Sequence, residues 1–187
     1  MIKMNNSIAD VARGAPVILP GSPPLNEVAT YEGVFKHDGH IVHEQSLHYI
    51  NRETVRRVIN TGLQETLLQH FYDDKGNAKF FVADDYDGVG VLEGIYLDIV
   101  SVVPKRQDNG TGRALMHSFL QTTDGRLAFR SQPKRTVAND WYSKFARLIS
   151  QETNVDGVLY NMYGVGLTLP EQEAWLSIMR NKPKNFE

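Results

Sequence analysis

The sequence predicts an α/β (α+β) fold in which helices flank a mixed, mostly antiparallel central sheet. Asp-Gly pairs at Asp38-Gly39 and Asp87-Gly88 separate short alternating stretches, a pattern typical of β-hairpins. Apolar residues recur at helical spacing after the first hairpin and again after Gly110. A β-branched apolar run, residues 95–103, leads straight into a glycine-bearing loop and the second of these helices. Hairpins combined with interspersed helices indicate one layered domain.

The first elements follow from local signals. Residues 1–26 are polar and contain the cluster Pro20-Gly21-Ser22-Pro23-Pro24, which predicts an arm before a domain of residues 27–187. An alternative is that this arm packs against a partner chain. A hairpin is expected within residues 29–47, and Asn51 can cap the following helix. Apolar residues then continue at helical spacing to Phe71, with a break predicted at Thr61-Gly62.

The later elements alternate between strands and helices. A second hairpin should join strands over residues 79–83 and 89–93, and Pro170 should open the last helix. Between them the sequence predicts a strand at 95–103, a helix at 110–122, a strand at 127–130, a helix at about 137–150 and a strand at 158–163.

Composition limits the function classes. The chain has 187 residues, 41% hydrophobic and 22% charged, as expected for one soluble globular domain. A net charge of −2 gives no electrostatic footprint for nucleic acid. No apolar run approaches the roughly 20 residues that span a bilayer, and Asn5, Asn6 and Asp10 interrupt any signal-peptide core. Cysteine is absent, so no disulfide, thiolate nucleophile or cysteine metal site is expected. We therefore expect a cytoplasmic protein.

The strand–loop–helix segment at residues 102–115 carries the strongest functional signal. Such a segment gathers backbone N–H groups and a helix N-terminus around one concavity, where a pyrophosphate can bind. Gly110 and Gly112 allow close approach of a ligand, and Lys105, Arg106 and Arg113 add positive charge. The spacing Gln107-x-x-Gly110-x-Gly112 resembles the acyl-CoA loop of the GNAT superfamily of N-acetyltransferases. The alternative is a strand-to-helix turn that binds no ligand.

This resemblance implies acetyl-CoA as the acetyl donor. The residues that it assigns to the donor site are Val102, Val103, Gln107, Asp108, Asn109, Gly110, Thr111, Gly112 and Arg113.

Further segments resemble the acetyltransferase domain of N-acetylglutamate synthases. They are Tyr96-Leu97-Asp98, Gln107-x-x-Gly110-Thr111-Gly112-Arg113, Leu127-Ala128-Phe129-Arg130-Ser131, Asn139-Asp140-Trp141-Tyr142 and residues 158–164. Their order and approximate spacing hold across residues 50–166. The resemblance places Arg130, Glu65, Ile99 and Asn139 around the acceptor amine.

The departures from that family concern the acceptor. The family binds the carboxylates of glutamate with basic residues, whereas Ile99 and Glu65 stand here at two of those positions. Only Arg130 is retained as a carboxylate partner, and it could equally pair with a structural carboxylate. Losing the multi-cation clamp disfavours glutamate, and Glu65 instead favours a cationic or neutral amine.

Acetyl transfer requires an oxyanion stabiliser, an acid for the leaving thiolate and a base for the amine. A backbone N–H of residues 99–102 can bind the acyl carbonyl. Tyr142 matches the superfamily position whose phenol reaches the thioester sulfur, although Trp141-Tyr142 could be core aromatics only. Asp98 or Glu93 could act as the base; alternatively, Asp98 orders the groups around it.

The histidines form one further cluster in the sequence. His37, His40, His43 and His48 lie around the first hairpin, where alternate residues face opposite sides. A solvated hairpin is therefore favoured over a zinc site, and we expect no metal. His70 and His117 are expected at the edges of amphipathic helices.

These observations favour an acetyl-CoA-dependent N-acetyltransferase of synthase-like type, acting on a small-molecule amine. A regulatory module that binds acyl-CoA without catalysis is the alternative, and a structural protein that binds no CoA is a third. No nucleic-acid or membrane partner is expected, and the resemblance leaves a homodimer open.

Overall fold

The computed structural model describes residues 33–187, so the proposed arm at 1–26 and the predicted domain start at residue 27 lie outside the described residues. The described residues form eight strands and four helices. The strands are β1 Gly33–His37, β2 His40–Ser46, β3 Lys79–Ala83, β4 Gly88–Glu93, β5 Tyr96–Val102, β6 Leu127–Ser131, β7 Arg147–Thr153 and β8 Leu159–Val165. The helices are α1 Arg52–Leu63, α2 Thr111–Thr122, α3 Thr136–Tyr142 and α4 Leu169–Asn181.

All strands belong to one sheet, with the order β1-β2-β3-β4-β5-β6-β8-β7. Every neighbouring pair is antiparallel except β5 and β6, which confirms the predicted mixed, mostly antiparallel sheet. The parallel pair is short, since only Tyr96–Ala128 and Leu97–Phe129 are in register. Beyond these residues β5 and β6 diverge, and the centre of the sheet opens.

The first hairpin forms where the sequence predicts it. Asp38 and Gly39 have φ angles of 48° and 83°, the pair of positive values that a type I′ turn requires. The second hairpin turns slightly earlier than predicted. Asp84, Asp85 and Tyr86 adopt positive φ, and Gly88 is already the first residue of β4.

Helix α1 begins as predicted but ends differently. The side chain of Asn51 accepts a hydrogen bond from the Thr54 N–H at 3.0 Å. The predicted break occurs, but slightly after Thr61-Gly62. Gly62 still belongs to the helix and packs closely on β5: a Cβ there would lie 2.6 Å from the Val102 carbonyl oxygen. Gln64, at φ 55°, ends the helix, so Leu67–Phe71 and His70 lie in an irregular segment rather than a helix. Leu67 and Phe71 are buried nevertheless.

The helix predicted at 137–150 is also wrong in its second half. Helix α3 ends at Tyr142, and the following residues form β7, the edge strand that pairs with β8. Tertiary pairing overrides local propensity here, because β8 supplies hydrogen-bond partners for the backbone of β7. The last helix, α4, has the Pro170 start that the sequence predicts, together with a capping box between Thr168 and Glu171.

The two faces of the sheet carry different helices. Leu97 and Phe129 pack in one core cluster with residues of α2; we call this side the α2 face. Ile99 packs with α1, while Tyr96 and Ala128 pack with Met179 of α4; this side is the α1 face. No helix within residues 33–187 is long and apolar enough to span a membrane.

Candidate functional site

The divergence of β5 and β6 creates a cavity in the middle of the sheet. Its wall includes Asp98 and Val100 of β5, Arg130 and Ser131 of β6, and Tyr142 of α3. Beyond Leu97 the edge of β5 that faces β6 has no strand partner within residues 33–187. Unpaired strand groups bordering a cavity are available to hydrogen-bond a ligand.

A β-bulge in β5 lies at this cavity. The register passes from Val91–Ile99 to Leu92–Leu97, which leaves Asp98 as the extra residue of β5. Bulges turn side chains out of the regular alternation and occur often beside active sites. Here the bulge turns two successive side chains, those of Asp98 and Ile99, toward the α1 face. Their contacts show this orientation: Asp98 bonds Asn185, and Ile99 packs beside α1.

The donor loop, residues 103–113, joins the C-terminal end of β5 to α2. The Gln107 side chain donates to the Val102 carbonyl at 3.1 Å, and the Asn109 side chain accepts from the N–H and hydroxyl of Thr111 at 3.1 and 2.7 Å. Asp108 and Gly110 have φ angles of 69° and 100°. These bonds and turns fix the loop conformation from within.

The same loop leaves a set of backbone donors unused. Within residues 33–187, no hydrogen bond is made by the N–H groups of Asp108, Asn109, Gly110, Gly112 and Arg113. Consecutive free N–H groups at left-handed turns and at a helix N-terminus bind anions, since both the dipoles and the donors favour negative charge. The predicted donor-site segment thus carries a suitable cradle for pyrophosphate.

His40 supports this loop from the first hairpin. Its Nδ1 hydrogen-bonds Asp84, and its Nε2 lies 2.9 Å from the Asn109 carbonyl oxygen. The hydrogen bond to Asp84 raises the pKa of His40 above its usual value. The expectation of a solvated hairpin is therefore wrong for His40. The sequence gives no signal for this contact, since the partners lie 69 positions apart.

The other histidines do not converge with His40. The ring of His37 stacks on that of His117 at 4.3 Å between centroids. Within the described part of the chain, residues 33–187, no group of three or more histidine or acidic side chains could hold a metal ion.

Tyr142 is packed and faces the cavity. Its ring lies 4.8 Å from that of Phe129 and 5.7 Å from that of Tyr163, measured between centroids. Only 8% of the residue is exposed, and burial raises the pKa of its phenol to about 12. The two interpretations of Tyr142 are thus compatible: aromatic packing holds a protonated phenol at the cavity wall.

Asp98 belongs to a buried charge network on the α1 face. Its carboxylate accepts from the Asn185 amide at 2.8 Å and lies 3.1 Å from the ammonium of Lys75. Lys75 also pairs with Glu93 at 2.7 Å. Burial alone would lower the pKa of Lys75, but the Asp98 and Glu93 carboxylates raise it above its usual range. This arrangement agrees with the alternative that Asp98 orders its neighbours.

Arg130 makes structural contacts. Its guanidinium donates to the carbonyls of Met179 at 3.0 Å, Lys182 at 2.7 Å and Pro183, and it lies over the Tyr160 ring. The expected substrate clamp and the expected carboxylate partner are both replaced by backbone carbonyls at the end of α4. Because its N–H groups already donate to these carbonyls, Arg130 is poorly placed to bind a substrate carboxylate.

The remaining predicted acceptor residues also have protein partners. Glu65 pairs with Lys134 and Arg135 at 2.6 Å each, so its charge is balanced, which corrects the expectation that it attracts a cationic amine by itself. Ile99 is buried in the core, where its side chain offers no polar contact. Asn139 donates to the Gln132 carbonyl at 3.0 Å and accepts from the Tyr163 hydroxyl at 3.1 Å, holding the connection before α3.

Sequence reasoning missed several residues around the cavity. The Ser131 hydroxyl is buried, lines the cavity and has no hydrogen-bond partner within residues 33–187. Lys75, Asn185 and Phe186 come from segments without motif or periodicity. Ser131 belongs to the segment Leu127–Ser131 that resembles the synthase family, so the sequence did carry a signal for it. The other three residues reach this region only through the tertiary fold.

Comparisons with known proteins bear on the fold. No model of a known protein family matches the sequence, and no curated protein matches it. A protein described as a GNAT-family acetyltransferase, from Desulfovibrio desulfuricans, has 22% identity and a TM-score of 0.52, over 67% of this chain and 97% of that one. The ribosomal-protein-S18-alanine N-acetyltransferase of Escherichia coli has 13% identity and a TM-score of 0.53, over 66% and 92%. This chain has the GNAT fold.

A third GNAT structure agrees with the first two. Naa50 of Arabidopsis thaliana, in complex with the bisubstrate analogue CoA-Ac-MVNAL, has 15% identity and a TM-score of 0.53, over 67% of this chain and 99% of that one. The GNAT fold confirms the predicted fold class. The likeness to N-acetylglutamate synthases stays a prediction from sequence segments.

Proposed function

We propose that this protein is an acetyl-CoA-dependent N-acetyltransferase that acts on a small-molecule amine. The observation that carries the proposal is the donor loop, whose five free N–H groups stand beside the open edge of β5. The solved GNAT structure that contains a CoA-based bisubstrate analogue supports acetyl-CoA as the donor. No metal is part of the proposal.

The donor loop fits acetyl-CoA through its free N–H groups and the space at Gly112. The N–H groups of Asp108 to Gly110, with those of Gly112 and Arg113, would hold the pyrophosphate. Gly112 leaves room for it, because among residues 33–187 a Cβ there would meet only Val102, at 3.7 Å. The unpaired edge of β5 would bind the acyl carbonyl through a backbone N–H. Bound acetyl-CoA supplies an acetyl group activated as a thioester.

Tyr142 is proposed as the general acid. A phenol with a pKa of about 12 keeps its proton at neutral pH and can donate it to a leaving thiolate at the cavity wall. Asp98 is proposed to orient the amine and to take up its proton through a water molecule, rather than to act alone as base. A carboxylate accepts about four hydrogen bonds, so its contacts with Lys75 and Asn185 leave it able to accept one from an amine.

The acceptor is proposed not to be glutamate. Arg130, the one cation kept from the synthase pattern, is bound to three carbonyls, and Arg135 is paired with Glu65. A dicarboxylate would have to break these contacts to be bound.

A regulatory module that binds acyl-CoA without catalysis is the second candidate. It is favoured by one observation: three polar side chains on the acceptor side are already bound to other groups of the protein. Glu65 pairs with Arg135, Asp98 with Lys75, and Arg130 donates to the Lys182 carbonyl. Two measurements separate the candidates: calorimetric binding of acetyl-CoA, and release of free CoA thiol with a panel of amines. Binding with amine-dependent thiol release supports the enzyme. Binding without release for any amine supports the regulatory module, and no binding refutes both.

A further inference from the structure

The last residues of the chain cross the acceptor side of the cavity. After α4, residues 182–187 run to the segment that follows α1; we call residues 182–187 the C-terminal strap. Asn185 accepts a backbone hydrogen bond from Leu68 at 2.9 Å, and the Glu187 N–H donates to the Thr66 carbonyl at 3.0 Å. Leu67 and Phe186 form an isolated antiparallel bridge between these bonds. The strap is thus paired like a short strand.

The beginning of the strap is tied down separately. Arg130 donates to the carbonyls of Lys182 and Pro183, and the Asn154 amide donates to the Lys182 carbonyl at 3.1 Å. The Lys184 N–H donates to the Asp156 carboxylate at 2.6 Å. These contacts come from the sheet and its loops, so the strap is held at both ends.

The strap lies on the face from which an acceptor would enter. Tyr142 and Val100 belong to the α2 face, together with the helix that follows the donor loop. Asp98 and the strap lie on the α1 face, where Asn185 bonds Asp98 and Phe186 packs beside α1. Asn185 and Phe186 both line the cavity. An amine that reaches a thioester held from the α2 face by crossing to it from the α1 face would therefore enter beside the strap.

We infer that the C-terminal strap, through Asn185 and Phe186, restricts the acceptor to a small amine and excludes the N-terminus of a polypeptide. An extended peptide needs a groove and free backbone groups to pair with. On the α1 face Asn185 and Phe186 of the strap line the cavity, and the strap already uses the N–H of Leu68 and the carbonyl of Thr66. This inference rests on the proposed function, because it assumes that the donor lies on the α2 face.

The test compares two bisubstrate conjugates that need no knowledge of the natural acceptor. In one, the acetyl group of acetyl-CoA is joined to the nitrogen of alanine amide; in the other, to the N-terminus of an alanine pentapeptide. We expect the full chain to bind the alanine amide conjugate at least tenfold more tightly by calorimetry. A variant lacking residues 183–187 should bind the two within about twofold.

Point variants test the inference without requiring that the truncated chain folds. Phe186→Ala should reduce the difference in affinity between the two conjugates without removing the strap. Lys184→Ala is the matched control and should keep that difference, because within residues 33–187 Lys184 is held through its backbone N–H. Unchanged acetyl-CoA affinity shows that each variant retains the donor site. Equal affinity of the full chain for both conjugates, or a gap that survives both Phe186→Ala and a folded truncation, overturns the inference while leaving the proposed function intact. Failure of the full chain to bind acetyl-CoA refutes the proposed function and the inference together.

Discussion

The Nε2 atom of His40 lies 2.9 Å from the carbonyl oxygen of Asn109, in the middle of the donor loop. On its other side the same ring hydrogen-bonds the Asp84 carboxylate, which also accepts from the Ile41 N–H at 2.9 Å. A doubly protonated imidazole donates to both partners at once. His40 therefore connects the first hairpin, the β3–β4 turn and the donor loop.

We predict that this connection depends on pH. The Asp84 hydrogen bond raises the pKa of His40, so its contribution to stability is complete below the unfolded value of roughly 6.5 and is lost as pH rises through the folded pKa. His40→Gln should lower the free energy of unfolding by about 1 kcal/mol at low pH, with a smaller difference at high pH. Urea unfolding across pH measures this, with His48→Gln, at an exposed turn, as the control. A difference that is independent of pH would contradict the prediction.

We predict that Gly112→Glu prevents acetyl-CoA binding while the protein still folds. A side chain at this position has space, because in the described part of the chain only Val102 lies near its Cβ, so we expect the fold to tolerate the change. The added carboxylate would enter the proposed phosphate cradle and repel the pyrophosphate. Calorimetry with acetyl-CoA, together with thermal unfolding, checks both statements. Gly76→Glu is the control, because no atom of residues 33–187 lies within 4 Å of a Cβ at Gly76. If Gly112→Glu bound acetyl-CoA as tightly as the wild type, the proposal that residues 103–113 bind the acetyl donor would be wrong.

Tyr142→Phe should reduce turnover by about 10²–10⁴-fold with little change in acetyl-CoA affinity, because only the phenol proton is lost. The measurement is steady-state thiol release with an amine that the wild type accepts, next to calorimetric binding of acetyl-CoA. Tyr163→Phe is a matched control: it removes a neighbouring phenol that bonds Asn139, and it should leave turnover nearly unchanged. Full activity of Tyr142→Phe would mean that this residue only packs.

Glutamate should be a poor acceptor, by several powers of ten in kcat/KM relative to the best neutral or basic amine. Each charge-assisted hydrogen bond missing from a buried carboxylate costs about 1.5–3 kcal/mol, and Arg130 and Arg135 are both engaged elsewhere. Steady-state assays with glutamate, glutamine and simple amines decide the question. Glutamine is the matched comparison, because it has nearly the same shape as glutamate and carries a neutral amide in place of the side-chain carboxylate. Efficient acetylation of glutamate would show that Arg135 or Lys134 leaves Glu65 to bind the substrate.

The sequence by itself determined the local features of this protein. Hairpin turns at Asp38-Gly39, the cap at Asn51, the Pro170 start of α4 and the strand–loop–helix order at the donor loop all follow from signals within a few residues. Such signals act through backbone conformation and hydrogen bonds between near neighbours, so they can be read without the fold. The layered sheet with flanking helices followed from their order.

The tertiary structure decided what depends on partners distant in the chain. Gly62 continues a helix because β5 lies against it, and residues 147–153 form a strand because β8 is there to pair with them. Arg130 is bound by the end of α4, Asp98 is paired with Lys75, and Phe186 reaches the cavity from the last residues of the chain. None of these partners lies within a helical turn or a hairpin of the residue it constrains. Packing and long-range hydrogen bonds, rather than local propensity, therefore set the acceptor side of the site.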